Sequence, residues 1–297
     1  MQKHPSPDYA QRARYLTLDQ GFNVARTKVP AHIFLNERDE AFANAGSTHI
    51  LCDSSSAMAI DVPASAPMLL ASYLRIRSNE PLTLQSHASA EIFYAIRGSG
   101  TIEWDNESMG WEAGDVMLFP GGFAKQFSTN NDQPAILWQC TNAPQLALEK
   151  TLPPPISQST IRPTLYKQEA MMRALVDAQK MVMKNGMKSM AIMFGTETMG
   201  SISPSLTLAL NEVPPNASQV PHRHNSAAVT IVLEGEQCYS TVEGEKVPWS
   251  KFATFVTPGA ASHAHFNPSS GSALVLIVQD GGLHAHCRTM GFAITQA

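Results

Sequence analysis

"PHRHNSAAVTIVLEG", residues 221–235, decides how the rest of the chain is read. From Ala227 it is a run of Val, Thr, Ile and Leu closed by a glycine, the composition of a buried strand. Strand side chains alternate faces, so His222 and His224 point one way and Arg223 the other. Two imidazoles one pleat apart can grip one ion, provided a third donor comes from elsewhere. Alone, the pattern is a weak signal, and two surface histidines at the start of a strand fit it better. "PGAASHAHFN", residues 258–267, tips the balance by placing His263 and His265 together on a second strand face. Six of the ten histidines fall at 222, 224, 263, 265, 284 and 286, a concentration that points to a metal held by His222 and His224 with a third histidine from the second strand. His284 and His286 follow the last strand-like run and read as surface residues.

The same pattern occurs twice. "LQSHASAEIFYAIRG" (84–98) overlies residues 221–235, Gly98 meeting Gly235, and with a small insertion Pro120 meets Pro258. Self-similarity at one long offset predicts two copies of one domain. Each copy is a series of short Val, Ile, Phe and Thr runs punctuated by Gly, Pro, Asn and Asp, the signature of an all-β sandwich or barrel. The expected organisation is an N-terminal arm over 1–60, a first barrel over 61–145, a linker and helix over 146–187, and a second barrel over 188–297. "APQLALEKTLPPPISQSTIRPT" is the Pro- and Ser-rich linker. In "YKQEAMMRALVDAQKMVMKN", Met171, Leu175, Ala178 and Val182 share a helical face that Gly186 can end.

Composition narrows the function classes. Hydrophobic residues make up 43% and charged residues 15%, with a formal net charge of −4. That balance argues against nucleic-acid and polybasic membrane partners and favours small molecules. The four cysteines, Cys52, Cys140, Cys238 and Cys287, form no CxxC pair and read as reduced thiols. The polar N-terminus, with no apolar signal core, gives a cytoplasmic expectation.

These segments resemble the two motifs of the cupin superfamily, a small jelly-roll barrel that holds a metal inside. The expectation is therefore an all-β bicupin with a short helical segment between its barrels. The usual pattern has two His and a Glu in the first motif and one His in the second. Here the Glu position is Ala228. With the upstream "TMGSISPSLTLALNEVPP", the three-histidine pattern is similar to the gentisate 1,2-dioxygenases and the related salicylate and hydroxynaphthoate dioxygenases, over roughly residues 165–293.

That resemblance implies a non-haem Fe(II) enzyme that cleaves a hydroxylated benzoate with O₂, in a homo-oligomer. Three neutral imidazoles leave a divalent ion its full charge and half an octahedron open. A salicylate-type anion fits two of those positions and oxygen the third. The resemblance also implies roles for His265 in assisting substrate and for Asn211, where the family has Gln, in lining the pocket. It implies Asp280 in "QDGG" as an acid that orients or deprotonates a hydroxyl. Arg162 and Arg173 are its candidates for a substrate carboxylate. In the family the metal often sits in the first barrel; here the first copy has Gln85, His87, Glu91 and Lys125 where the second has His222, His224, Ala228 and His263. That copy is expected to be structural, Lys125 standing beside Glu91 in place of an ion. Two other readings stay open: a cupin hydrolase or isomerase using Zn, Mn or Ni, and a non-catalytic small-molecule-binding bicupin.

Overall fold

The computed structural model of the chain describes residues 9–22, 27–181 and 190–295. Two jelly rolls pack against each other, each made of one large and one small sheet. In the first, a six-stranded sheet runs in the order Thr164–Tyr166, Val116–Phe119, Glu91–Arg97, Ala135–Thr141, Leu70–Ile76, Thr48–Cys52. Facing it is a four-stranded sheet of Leu82–Leu84, Lys125–Ser128, Ser99–Trp104 and Glu107–Glu112. The second jelly roll repeats this with a six-stranded sheet ordered Ile33–Phe34, Thr254–Thr257, Ala228–Glu234, Ala273–Gln279, Thr207–Val213, Ala191–Met193. Its small sheet runs Glu245–Pro248, Tyr239–Val242, His263–Asn267, His222–His224, Phe292–Ile294. All of these pairings are antiparallel.

The two large sheets stack on each other, so their strands are apolar on both faces. Ile92, Val116, Leu118, Ile136 and Trp138 of one meet Leu208, Val229, Ile231, Val256 and Leu276 of the other in one buried cluster. The opposite faces fill the separate barrel interiors. Polar groups trapped between the sheets are paired: the Tyr73 hydroxyl donates to the Phe252 carbonyl at 2.7 Å, and the Trp138 indole N–H to Thr254 Oγ1 at 2.9 Å.

The N-terminal region does more than the arm expected over 1–60. Ile33–Phe34 extends the second barrel's sheet and Thr48–Cys52 the first's. Linker residues Thr164–Tyr166 likewise return to pair with the first barrel. These exchanged edge strands cover sheet edges and tie the two copies together. The helix between the barrels spans Gln168–Gln179 and buries Met171 and Leu175. The Val182 and Gly186 expectations lie outside the described residues. All four cysteines are free, three of them buried. Among the described residues no helix is long and apolar enough to cross a membrane.

Candidate metal centre

Antiparallel pairing brings the two histidine pairs together. His222 lies directly opposite His263, on neighbouring strands of the small sheet. The rings of His222, His224, His263 and His265 gather at one end of a cavity of about 350 Å³ inside the second barrel. Asn211, Ala228 and Gln279 also line it.

Hydrogen bonding fixes the tautomer of each expected ligand. Nδ1 of His222 is 2.9 Å from the Val220 carbonyl, Nδ1 of His224 is 2.7 Å from the Ser226 carbonyl, and Nδ1 of His263 is 2.9 Å from the Ala261 carbonyl. A carbonyl only accepts, so each ring carries its proton on Nδ1 and keeps the Nε2 lone pair. Metal-binding histidines are commonly held this way, the far ring N–H donating to a carbonyl. Burial pushes the His263 imidazolium down to about 4 and lowers that of His224, so both are neutral near pH 7, as ligands must be.

The spacing of the rings is close to that of a facial site. Two imidazoles bound at right angles, with metal–nitrogen distances of about 2.1 Å, hold their ring centres about 4.5 Å apart. His222–His263 is 4.3 Å and His224–His263 is 4.8 Å, whereas His222–His224 is wider at 6.2 Å. As they stand, no three His, Cys, Asp or Glu side chains among the described residues form a closed ligation cluster. The wide pair accounts for this. His224 Nε2 is turned to the Gln279 amide, 3.2 Å away. Release of His224 Nε2 from Gln279 would let it turn toward the other two rings. The donor set therefore fits a divalent ion.

His265 is held in the opposite sense. Ser240 Oγ accepts the Trp249 indole N–H at 2.8 Å and lies 2.8 Å from His265 Nδ1. The arrangement that uses the buried hydroxyl proton has Ser240 donating to Nδ1, which leaves the His265 proton on Nε2. Burial, with the neighbouring histidines, pushes His265 down to about 3, so it serves as a neutral N–H donor. Asn211 Oδ1 is buried without a partner at the cavity wall, an acceptor left for a ligand.

Three other expected residues are placed elsewhere. Asp280 does not line the cavity: its Oδ1 accepts the Ala227 N–H at 2.8 Å, bracing the start of the Ala228–Glu234 strand. Burial raises its carboxyl to about 6. The cavity position belongs to its neighbour Gln279, which pairs with Ala228 across the sheet. Arg162 is exposed and bonds Glu197 at 2.9 Å, and Arg173 is exposed on the helix facing Glu169 at 3.5 Å. Both sit outside the second barrel's interior. Besides Gln279, reading single motifs missed Thr207, Thr230 and Thr257, whose side chains also border the cavity. Strand alternation inward from Val275 and Ile277 gives position 279, but an all-apolar strand conceals which parity faces in.

In the first barrel, Lys125 Nζ lies 3.0 Å from Glu91 Oε1, with both side chains fully buried. Gln139 donates to the other Glu91 oxygen at 3.1 Å. Gln85 and His87 turn outward to the Gly122 and Thr151 carbonyls.

Comparison with known proteins agrees with this architecture. Residues 209–279 match the cupin domain family. A gentisate 1,2-dioxygenase from Ralstonia sp. is 28% identical over 173 residues, covering 55% of this chain and 44% of that protein. The chain thus spans less than half the length of the curated relative it matches. Salicylate 1,2-dioxygenase from Pseudaminobacter salicylatoxidans superposes with a TM-score of 0.75 at 15% identity, covering 91% of this chain and 89% of that one. A structure of the same enzyme with gentisate gives a TM-score of 0.75 at 15% identity over 100% and 96% of the two chains. A cupin 2 conserved barrel domain protein from Leptotrichia buccalis gives 0.52 at 13% identity, over 86% and 99%. The chain has the bicupin fold, and the stretch 209–279 within its second barrel matches the cupin domain family. It resembles the gentisate and salicylate 1,2-dioxygenases.

Proposed function

We propose that the chain is a non-haem Fe(II) ring-cleaving dioxygenase for an ortho-hydroxylated aromatic carboxylate, with its active site in the second barrel. The observation that supports this best is the donor set. Nε2 of His222, His224 and His263 is kept unprotonated by three backbone carbonyls that accept from Nδ1, and Ala228 stands where a fourth ligand is otherwise expected. When bound there, iron would supply the chemistry by which O₂ attacks a chelated ring. Neutral ligands leave the ion's charge to be balanced by the carboxylate and phenolate of the substrate. Ala228 leaves open the space that such a bidentate ligand needs.

The chain's own residues orient that substrate. His265, itself buried, offers a neutral Nε2–H to an anionic oxygen, and a fixed dipole acts most strongly where water is excluded. Asn211 Oδ1 offers an acceptor to a ring hydroxyl. The Gln279 amide, supported through Ser226 Oγ at 3.4 Å, would be released from His224 were that ring to hold the ion, and would then be available to a substrate oxygen. The test is metal analysis of the purified protein with oxygen uptake on salicylate, gentisate and 1-hydroxy-2-naphthoate. Iron together with oxygen consumption on at least one of them is expected. Stoichiometric zinc with no oxygen consumption on any would favour a hydrolytic cupin instead.

A further inference from the structure

The chain's last described segment crosses the mouth of the cavity. Phe292–Ile294 is the edge strand of the small sheet, with Ile294 opposite His222, Ala293 opposite Arg223 and Phe292 opposite His224. All three residues are exposed, Phe292 at 63%, so the strand buries little apolar surface and adds little to the core. It is nevertheless fastened at both ends of the ligand strand. Beyond His224, the Asn225 side chain donates to the Thr289 carbonyl at 2.9 Å and accepts the Gly291 N–H at 3.0 Å. Before His222, the Pro221 carbonyl accepts the Thr295 N–H at 2.9 Å, and Thr295 Oγ1 lies 2.7 Å from Ser262 Oγ. Met290, Gly291 and Phe292 form part of the cavity wall. The Phe292 ring stacks on His222, 5.2 Å between centres at an angle of 29°.

We propose that residues 289–295 are a strap forming the outer wall of the cavity, and that Phe292 is a specificity-determining residue that selects flat aromatic ligands by stacking. The proposal rests on the aromatic-substrate reading above. A ring chelated beside His222 enters space bordered by Phe292, and offset stacking favours a planar ligand over an aliphatic one with the same oxygen donors. Asn225, adjacent to His224, couples the strap's position to that of the ligand strand.

The experiment uses the full-length, iron-loaded protein under anaerobic conditions. Dissociation constants are measured by calorimetry for salicylate and for lactate, which shares the carboxylate and hydroxyl donors but has no ring. Phe292→Ala is expected to weaken salicylate about tenfold while leaving lactate affinity and iron content unchanged. Phe292→Tyr should restore salicylate binding, and Asn225→Ala should weaken salicylate more than lactate. Salicylate binding that Phe292→Ala leaves intact, or equal losses for the two ligands, would overturn the selective role while leaving the aromatic-carboxylate reading standing. A wild-type protein that holds iron but binds no salicylate would overturn both.

Discussion

The two barrels share strand order and packing, and they differ most where a metal would sit. Glu91 and Ala228 each begin the corresponding strand of a large sheet, and Lys125 and His263 each begin the corresponding strand of a small one. In the first barrel this convergence produces a buried ion pair beneath an interior filled by Phe93, Trp104, Trp111, Phe119 and Phe127. In the second, the same convergence produces a cluster of neutral imidazoles around open space. The jelly roll therefore supplies a place where side chains from several strands meet, and the residue types decide whether that place is packing or chemistry. A cation persists in both readings, an ammonium in one barrel and a divalent ion proposed for the other.

The largest expected break in this contrast is His263→Ala. Removing one of three donors should take iron retention to background and abolish ring cleavage, while circular dichroism and the unfolding midpoint show the fold retained. A mutant that keeps its full complement of iron would falsify the assignment of His263. Ala228→Glu comes next. Position 228 faces inward opposite Gln279 and lies on the same strand face as the residues of the inner core. A carboxylate there restores four donors, partly neutralises the ion and occupies a position that substrate or oxygen needs. Iron content should hold or rise while turnover falls by about two orders of magnitude or more, in keeping with the loss of a position essential to chemistry. Near-normal turnover with bound iron would rule out bidentate substrate binding at that open position.

Much of this contrast is legible in the sequence, because it is carried by local spacing. The H-x-H pairs, the repeat, and the replacement of His263 by Lys125 can all be counted along the chain. What escapes is parity and long-range pairing. The run Ala273–Gln279 is apolar on both faces, since one lines the barrel and the other the seam between the two large sheets. Nothing in it says that Gln279 rather than Asp280 faces the cavity. Ile33–Phe34 is too short to show a period, and its partner lies more than two hundred residues away. Arg162 and Arg173 were candidates by their place upstream of the motif, as the resemblance implies, and both are exposed and paired with Glu197 and Glu169. The strap's importance depends on the Asn225 contacts, which no local pattern announces.

Lys125→Met sharpens the comparison from the other side. Above pH 7, where Glu91 is ionised, it leaves a carboxylate buried without its ammonium, and breaking a buried pair by removing one partner costs about 3–5 kcal/mol. Iron content should not change, because the proposed metal site lies in the other barrel. Glu91→Leu combined with Lys125→Met should recover most of the loss, since a well-packed apolar replacement carries no unpaired charge. Urea unfolding of the single and double variants checks this. A double variant no more stable than Lys125→Met would mean that the cost arises from lost packing of the lysine stem against Phe119 and Phe123.

The smallest expected effect is a slope of stability with pH. Burial raises the Glu91 carboxyl from 4.5 to about 7, outweighing Lys125 and Gln139, which favour its charged form. As pH rises, the unfolded chain releases this proton near 4.5 while the folded chain retains it until about 7. The stability contributed by this group is therefore complete below pH 4.5 and is lost as pH rises through about 7. Lys125, which burial lowers, acts in the opposite sense over a window that ends at its ordinary value of 10.5 on the alkaline side. Glu91→Gln keeps an uncharged side chain of nearly the same shape and cannot titrate. Unfolding free energies of wild type and Glu91→Gln, measured from pH 5 to pH 8 at the same metal content, should diverge as pH rises, wild type losing stability relative to the variant. The histidines of the second barrel titrate alike in both proteins and cancel in the difference. A difference that stays flat across this range would show that Glu91 is ionised throughout, with the ammonium overcoming burial. The first barrel would then hold a fully charged pair at the position that corresponds to Ala228 and His263 of the second.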